Sequence, residues 1–342
     1  MKETKVTIQM IADKAHVSKG LVSRVLNGKD VRVSAQKRSL ILKIANNMGY
    51  TGTKSSAPNT RNKKYIALIQ PGFDFDLIFR MTNAITAKIN EYGYSLLLLN
   101  SWENSNIERQ HLEFCINNNV GGIILNPCNT VDNIDMYESL INSSFPLVCI
   151  DRYIDESAYS FVTSKNADAM FNLTEYLIKR GHKDILSIVQ DKSTLTNVSK
   201  ERLKGYYRAI DKHGLTGHNE IIYPDRNYQW QPLYSLLTSA QRFTAFILNT
   251  SWDMRYFYDL LNLTDYPLQG NFEVAIFDDF TMPYTEFLRN KDNALINNVR
   301  YIIEQEPEKM GEQAVEIIIN RIKKGVSTEP THIFSDCVVQ EI

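Results

Sequence analysis

Residues 7–50 read TIQMIADKAHVSKGLVSRVLNGKDVRVSAQKRSLILKIANNMGY, and this stretch decides the architecture of the amino-terminal part. Thr7 stands where a hydroxyl can cap a helix over Ile8–Ala15, with Ile8, Ile11, Ala12 and Ala15 on one face at helical spacing. His16-Val17 interrupts that pattern. Ser18 then opens a second short helix, Lys19–Leu26, with Val22, Val25 and Leu26 inward and Lys19, Gly20, Ser23 and Arg24 outward. Asn27-Gly28 and a basic loop lead to Ser34, which caps a third helix ending near Met48-Gly49. Two short helices about a tight turn, with a third behind them, make a helix-turn-helix unit, whose second helix lies in the major groove of DNA.

Charge separates along the chain in the same sense. Residues 1–64 hold 14 Lys and Arg against 3 Asp and Glu, which leaves 24 against 36 for residues 65–342 and a net charge of −1 overall. A basic head on an acidic body suits a phosphate-seeking module joined to a soluble domain. At 342 residues the chain is long enough for that small domain and a larger one. No apolar run is long enough to span a bilayer, and the apolar cluster at 8–12 is short and broken by Gln9, unlike a secretory signal, so the expected location is the cytoplasm. Cys115, Cys128, Cys149 and Cys337 lack metal-ligand spacing and read as reduced thiols; neither a metal nor a cofactor is expected.

The head closely resembles that of the lactose-repressor (LacI/GalR) family, whose pattern TI..VA..A.VS..TVSRVLNG followed by VS..TR..V..A...LGY is matched nearly position for position. The resemblance places Lys19, Gly20 and Arg24 on the base-reading face, with Arg24 bonding guanine O6 and N7 together. Thr7, Ser18, Ser23 and Asn27 would then hold phosphates and fix register. His16 stands where the family usually has glycine.

Residues 51–64 (TGTKSSAPNTRNKK) are polar and aperiodic and read as a linker. In the resembling family this stretch forms a hinge helix on DNA that wedges a leucine into the minor groove. Here Asn59 replaces that leucine after Pro58, which puts the wedge in doubt, while Lys54 and Arg61 remain able to track the phosphate backbone.

From Tyr65 onward, aliphatic runs at 65–69, 95–100, 122–125, 147–150, 184–189, 245–248 and 273–277 predict strands. They alternate with helical patterns near 78–92, 107–118, 167–180, 200–213, 252–261 and 308–323, as in α/β folds with parallel sheets. So many elements imply two lobes, with ligands at the strand carboxyl ends lining a cleft. The family resemblance continues in GGIILNP, CIDR, RGHKDI, ERLKGYYRAI, FTAFILNTSWDM, VAIFDDF and EPEKMGEQAVEIII, and implies a core like periplasmic sugar-binding proteins, crossed by three strands. The expected organisation is therefore a small all-α helix-turn-helix head at 1–50, a hinge at 51–64, and a two-lobed effector-binding and dimerisation core at 65–342. Within that core, one lobe takes about 65–160 and 300–325, and the other about 161–299 and 326–342.

Carried over residue by residue, the resemblance implies effector contacts from Arg202, Asp278, Asn249 and Trp230. Such groups engage adjacent hydroxyls and offer an apolar face to a sugar ring. The chain departs from the family at Thr250 and Lys165, both of which stand at usual aspartates, and in GFDFDLI and EQE. Lost acids and a gained Lys165 beside Arg202 raise a sugar phosphate as an alternative to a neutral sugar. The expected function is a repressor of carbohydrate-metabolism genes acting on a pseudo-palindromic operator. A homodimer follows from the few base pairs one recognition helix can read, with 75–91 and 107–114 as candidate interface helices. A degenerate pocket governed by a protein corepressor is a further alternative. Adjacent Asp278 and Asp279 point to opposite faces of a strand and cannot form a catalytic pair, and no P-loop, G-x-S-x-G or H-E-x-x-H motif occurs, which argues against an enzyme. The basic head argues against a transport protein.

Overall fold

Thr7 accepts a hydrogen bond from Met10 N at its Oγ1 (3.3 Å) and starts helix α1, Ile8–Ala15. His16 ends it in the left-handed region (φ 50°), so that Val17 N reaches back to Ala12 O at 3.0 Å. Ser18 Oγ accepts from Leu21 N (3.2 Å) at the start of α2, Lys19–Leu26. Ser34 Oγ accepts from Lys37 N (3.2 Å) ahead of α3, Ala35–Asn47. Ile11, Ala12, Ala15, Val22, Val25, Ile41 and Ala45 form the shared core of the three helices.

The computed structural model describes residues 6–26, 33–48, 65–73, 76–154, 158–190, 196–215, 220–223, 231–238, 243–250, 253–254, 257, 272–278, 298–324 and 329–342. The chain divides into two units, Met1–Asn62 and Lys63–Ile342. Asn27, Lys54, Pro58, Asn59, Arg61, Trp230 and Asp279 fall outside the described residues.

The larger unit contains two six-stranded sheets. The first comprises β1 (Tyr65–Gln70), β2 (Ser95–Asn100), β3 (Gly122–Leu125), β4 (Leu147–Ile150), β5 (Ser160–Ser164) and β11 (His332–Ser335), in the order β11-β5-β4-β3-β1-β2 and parallel throughout. The second comprises β6 (Ile185–Gln190), β7 (Glu220–Tyr223), β8 (Ala245–Leu248), β9 (Glu273–Phe277), β10 (Val299–Glu304) and β12 (Val338–Glu341). Its order is β12-β10-β9-β8-β6-β7, and it is mixed because the edge strand β12 runs antiparallel to β10. Successive residues of β1 show why the strands are apolar runs: Ile66 and Leu68 join the core on one face, Ala67 and Ile69 that on the other. The helices are α4 (Asp76–Glu91), α5 (Ser105–Asn117), α6 (Ile134–Asn142), α7 (Asn166–Lys179), α8 (Asn197–Lys212), α9 (Gln231–Leu237) and α10 (Pro307–Lys324).

The chain passes between the sheets three times: from β5 to α7, from β10 to α10, and from β11 to β12. These crossings differ from the expected lobe boundaries. β5 stays with the first sheet, β10 stays with the second, and β11 returns to the first before the last crossing. The sequence reading does not include β5, β7, β10, β11, β12, α6 and α9; polar residues break the apolar run in β5 (SFVTS) and β10 (VRYIIE), and β12 is largely exposed.

α7 and α8 pack through Gly205, where a Cβ would stand 2.1 Å from the Ala167 carbonyl oxygen. A methyl group there must push the two backbones apart. Gly205→Ala is expected to lower stability by roughly 1–3 kcal/mol, measured by urea unfolding.

Candidate functional site

On α2, burial of Val22 and Val25 leaves Lys19, Gly20 and Arg24 exposed and Ser23 half-buried. A Cβ on Gly20 would meet nothing within 4 Å, so packing within the head does not require a glycine there. A helical glycine without an internal reason costs roughly 0.5–1 kcal/mol relative to alanine. What it offers is a bare backbone face for close approach of something outside.

The second constellation lies at the carboxyl ends of the core strands. Arg202 on α8 is buried; its Nε donates to Asn166 Oδ1 at 2.8 Å, its Nη1 donates to the Asn249 carbonyl, and its guanidinium lies 3.4 Å from the centre of the Phe277 ring. Burial lowers its proton affinity, and Asp278, Asp151 and Asp253 oppose that effect. Asp278 follows β9 at φ 72°, and its Oδ1 accepts from Gln305 Nε2, whose amide oxygen in turn accepts from Ser164 Oγ. Burial pushes the Asp278 carboxyl up to about 6, against the pull of Arg202. Asp253 accepts from Thr250 N at 3.1 Å, and burial pushes it up to about 7.

Asp151, which the sequence reading noted only within CIDR, follows β4 at φ 64° and accepts from Asn126 Nδ2 at 3.3 Å. Burial raises its proton affinity, with Arg152 and Arg202 opposing. Arg152 is held in a fork by Glu103 (2.8 and 2.9 Å). Tyr153 N donates to Asn197 Oδ1 (3.3 Å), which joins the loop after β4 to the start of α8. The structure thus brings Arg202, Asp278 and Asn249 together. The Lys165 side chain is exposed, and its Nζ pairs with Asp336 at 2.5 Å, bridging the first and third crossings.

Several polar atoms around this constellation are buried without a hydrogen-bond partner: both amide atoms of Gln70, Asn126 Oδ1, Asn197 Nδ2, Asn249 Oδ1 and Thr250 Oγ1. Gln70 ends β1, Asn126 follows β3, and Asn249 and Thr250 follow β8, so both sheets contribute. Each such group costs roughly 1–3 kcal/mol unless something bonds it. Gln70, Asn126 and Asn197 were not singled out from the sequence; their place at strand ends or a helix start was the available clue. Among the described residues no group of His, Cys, Asp and Glu is suited to a metal, and no helix is long and apolar enough to cross a membrane. Cys115, Cys128 and Cys149 are buried free thiols, and Cys337 is half-buried and free.

A carboxyl held protonated by the fold binds more protons in the native than in the unfolded state between the two pKa values. Stability from Asp253 is therefore greatest in acid and is lost as pH rises from about 4 to about 7. Asp253→Asn retains an acceptor for Thr250 N and removes the titration. It is expected to raise stability at pH 8 by roughly 1–3 kcal/mol and to flatten the pH 4–7 slope of denaturation midpoints.

Comparison with known proteins adds the family. Residues 67–337 match the model described as periplasmic binding proteins and sugar binding domain of the LacI family, and residues 7–52 match that of bacterial regulatory proteins, lacI family. The HTH-type transcriptional repressor PurR of Pasteurella multocida (strain Pm70) is 30% identical over 213 residues, which is 61% of this chain and 62% of that protein. The chain thus spans less than two thirds of that relative. The HTH-type transcriptional regulator MalR of Staphylococcus xylosus is 22% identical over 93% of this chain and 92% of its own. In fold, the chain is similar to a transcriptional regulator CelR–cellobiose complex (TM-score 0.67, 21% identity, 98% of both chains). It is also similar to the Cra transcriptional dual regulator of Pseudomonas putida with fructose 1-phosphate (TM-score 0.66, 17% identity, 82% of this chain and 99% of that one). With its head and core both matched, the chain belongs to the LacI family of bacterial regulatory proteins.

Proposed function

We propose that the protein is a sequence-specific transcriptional repressor, working in the cytoplasm as a homodimer on a pseudo-palindromic operator, and that a neutral, sugar-like polyol in the cleft sets its grip on DNA. The exposed face of Lys19, Gly20 and Arg24 on α2 carries the first half of this reading. Thr7, Ser18, Ser23, Asn27, Lys54 and Arg61 would supply phosphate contacts around it. The dimer is supported by exposed apolar side chains on the expected interface elements: Leu98 (49%) on the edge strand β2, Phe79 on α4 and Phe114 on α5.

The unpartnered amides and hydroxyl of the cleft carry the second half. They offer donors and acceptors without charge, which hydroxyl groups can satisfy in both roles. Solved relatives contain cellobiose in one case and fructose 1-phosphate in another. The cations here favour the neutral class: Arg202 is bonded and stacked, Arg152 is paired with Glu103, and Lys165 with Asp336. Asp278, ionised above about pH 6, further disfavours an anion. Asn249, Asp278 and Trp230 would hold the sugar. Whichever way the effector shifts operator affinity, the operator shifts effector affinity by the same factor.

Selection of bound sites from random duplexes is expected to enrich a pseudo-palindrome, and the lack of one would overturn the reading. Arg24→Ala should lose roughly 1–3 kcal/mol of preference at one base position in each half-site. Uniform weakening on every duplex would make Arg24 a phosphate contact instead. Gly20→Ala should weaken operator binding while leaving the head as stable as before or more so, measured by gel shift and thermal melting. In calorimetric titrations, neutral sugars should bind more tightly than their phosphates; the reverse order would restore the sugar-phosphate alternative.

A further inference from the structure

The geometry points to a second ligand site, distant in kind from the cleft: an oxyanion-binding groove between α10 and β11 whose anchor is Arg321. The groove encloses about 280 Å³ and is lined by Arg321, Lys324, Asn320, Gln313 and Thr331, with Ile317 and Ile333 beneath.

Arg321 is 7% exposed, its Nε is buried without a hydrogen-bond partner, and among the described residues no carboxylate pairs with it. The buried Arg202 and the half-buried Arg152 behave differently. Arg202 has Asn166 and the Asn249 carbonyl, and Arg152 has Glu103. Burial alone acts on Arg321, lowering its proton affinity, with nothing opposing. A largely buried guanidinium without a counter-charge is costly, and an anion from outside the chain would offset that cost.

The usual role of a cation near a helix carboxyl end is to meet the last carbonyls. Arg321 sits in the last turn of α10. Helical side chains lean toward the amino-terminus. Arg321 accordingly shares the groove with Gln313, Glu316 and Ile317, which stand toward the amino-terminus of the same helix. Glu316 also reaches the groove, but its carboxylate is 4.0 Å from Lys88 Nζ on α4, leaving the lining cationic on balance. A planar fork with Lys324, an amide and a hydroxyl nearby matches a phosphate or a carboxylate.

The groove lies at the carboxyl end of α10 and the start of β11, at the far ends of both elements from the crossings, and an anion there would tie the two elements together. The inference does not rest on the cleft reading, since no residue is shared.

The test is thermal unfolding of the full-length protein, titrated with inorganic phosphate, sulfate or acetate at constant ionic strength set with chloride. Phosphate should raise the Tm of the wild type along a saturating curve. Arg321→Met should abolish that rise and, because it removes an uncompensated buried charge, should melt roughly 2–4 °C above the wild type without phosphate. Lys324→Gln, at an exposed position, should keep the fold and weaken the phosphate response severalfold. A response to acetate equal to that of phosphate would assign carboxylates as the ligand class, and one to phosphate and sulfate alone would assign phosphates. A rise that never saturates, that chloride reproduces, or that Arg321→Met and Lys324→Gln both leave intact would overturn the proposal.

Discussion

Burying a guanidinium is costly, and the partners that Arg202 gathers to offset that cost organise the core of this protein. Its donors fix Asn166, the residue at which the chain enters the second lobe, and the Asn249 carbonyl at the end of β8. Its face rests on Phe277 at the end of β9. Its charge is felt by Asp151 from one lobe and by Asp253 and Asp278 from the other. Entry point, two strand ends and three carboxyls are thus tied to one side chain.

The crossings are in turn tied to each other. Ser164 and Gln305 link the first crossing to the second and extend to Asp278, while Lys165 and Asp336 link the first to the third. These contacts differ in character. Ser164 and Gln305 are buried and lead to half-buried Asp278, whose carboxyl burial pushes up to about 6, whereas the Lys165–Asp336 pair is exposed and screened by solvent. The buried hydrogen bonds therefore hold the crossings more firmly than the exposed pair does.

Much of this was legible in the sequence, for reasons that particular residues make plain. Thr7, Ser18 and Ser34 each precede an apolar pattern at helical spacing and each accepts the expected backbone bond, because capping is a local matter. The strands that were foreseen, such as β1 and β9, are buried on both faces and so are continuous aliphatic runs. β12 was missed because an antiparallel edge strand open to solvent has no such run. The Lys165 ion pair is not legible for a different reason. Its partner Asp336 lies on another crossing strand, and no local pattern announces a pair so distant in sequence. The state of Arg321 was equally hidden, since a missing partner is a property of three-dimensional surroundings alone.

The two lobes also use one device that neither composition nor periodicity reveals. β4 and β9 each stand third from the crossing edge of their sheets, and each is followed by an aspartate in the left-handed region, Asp151 and Asp278. Each aspartate's N–H donates to the adjacent crossing strand, to Val162 O of β5 at 2.8 Å and to Ile303 O of β10 at 2.9 Å. A non-glycine residue in that region costs roughly 1–2 kcal/mol. Glycine would relieve the strain at both places, but it would also remove the carboxyl from the mouth of the cleft. That aspartate stands at both positions argues that the turn exists to present the side chain: strain at two symmetric strand ends is maintained for the charge it delivers opposite Arg202.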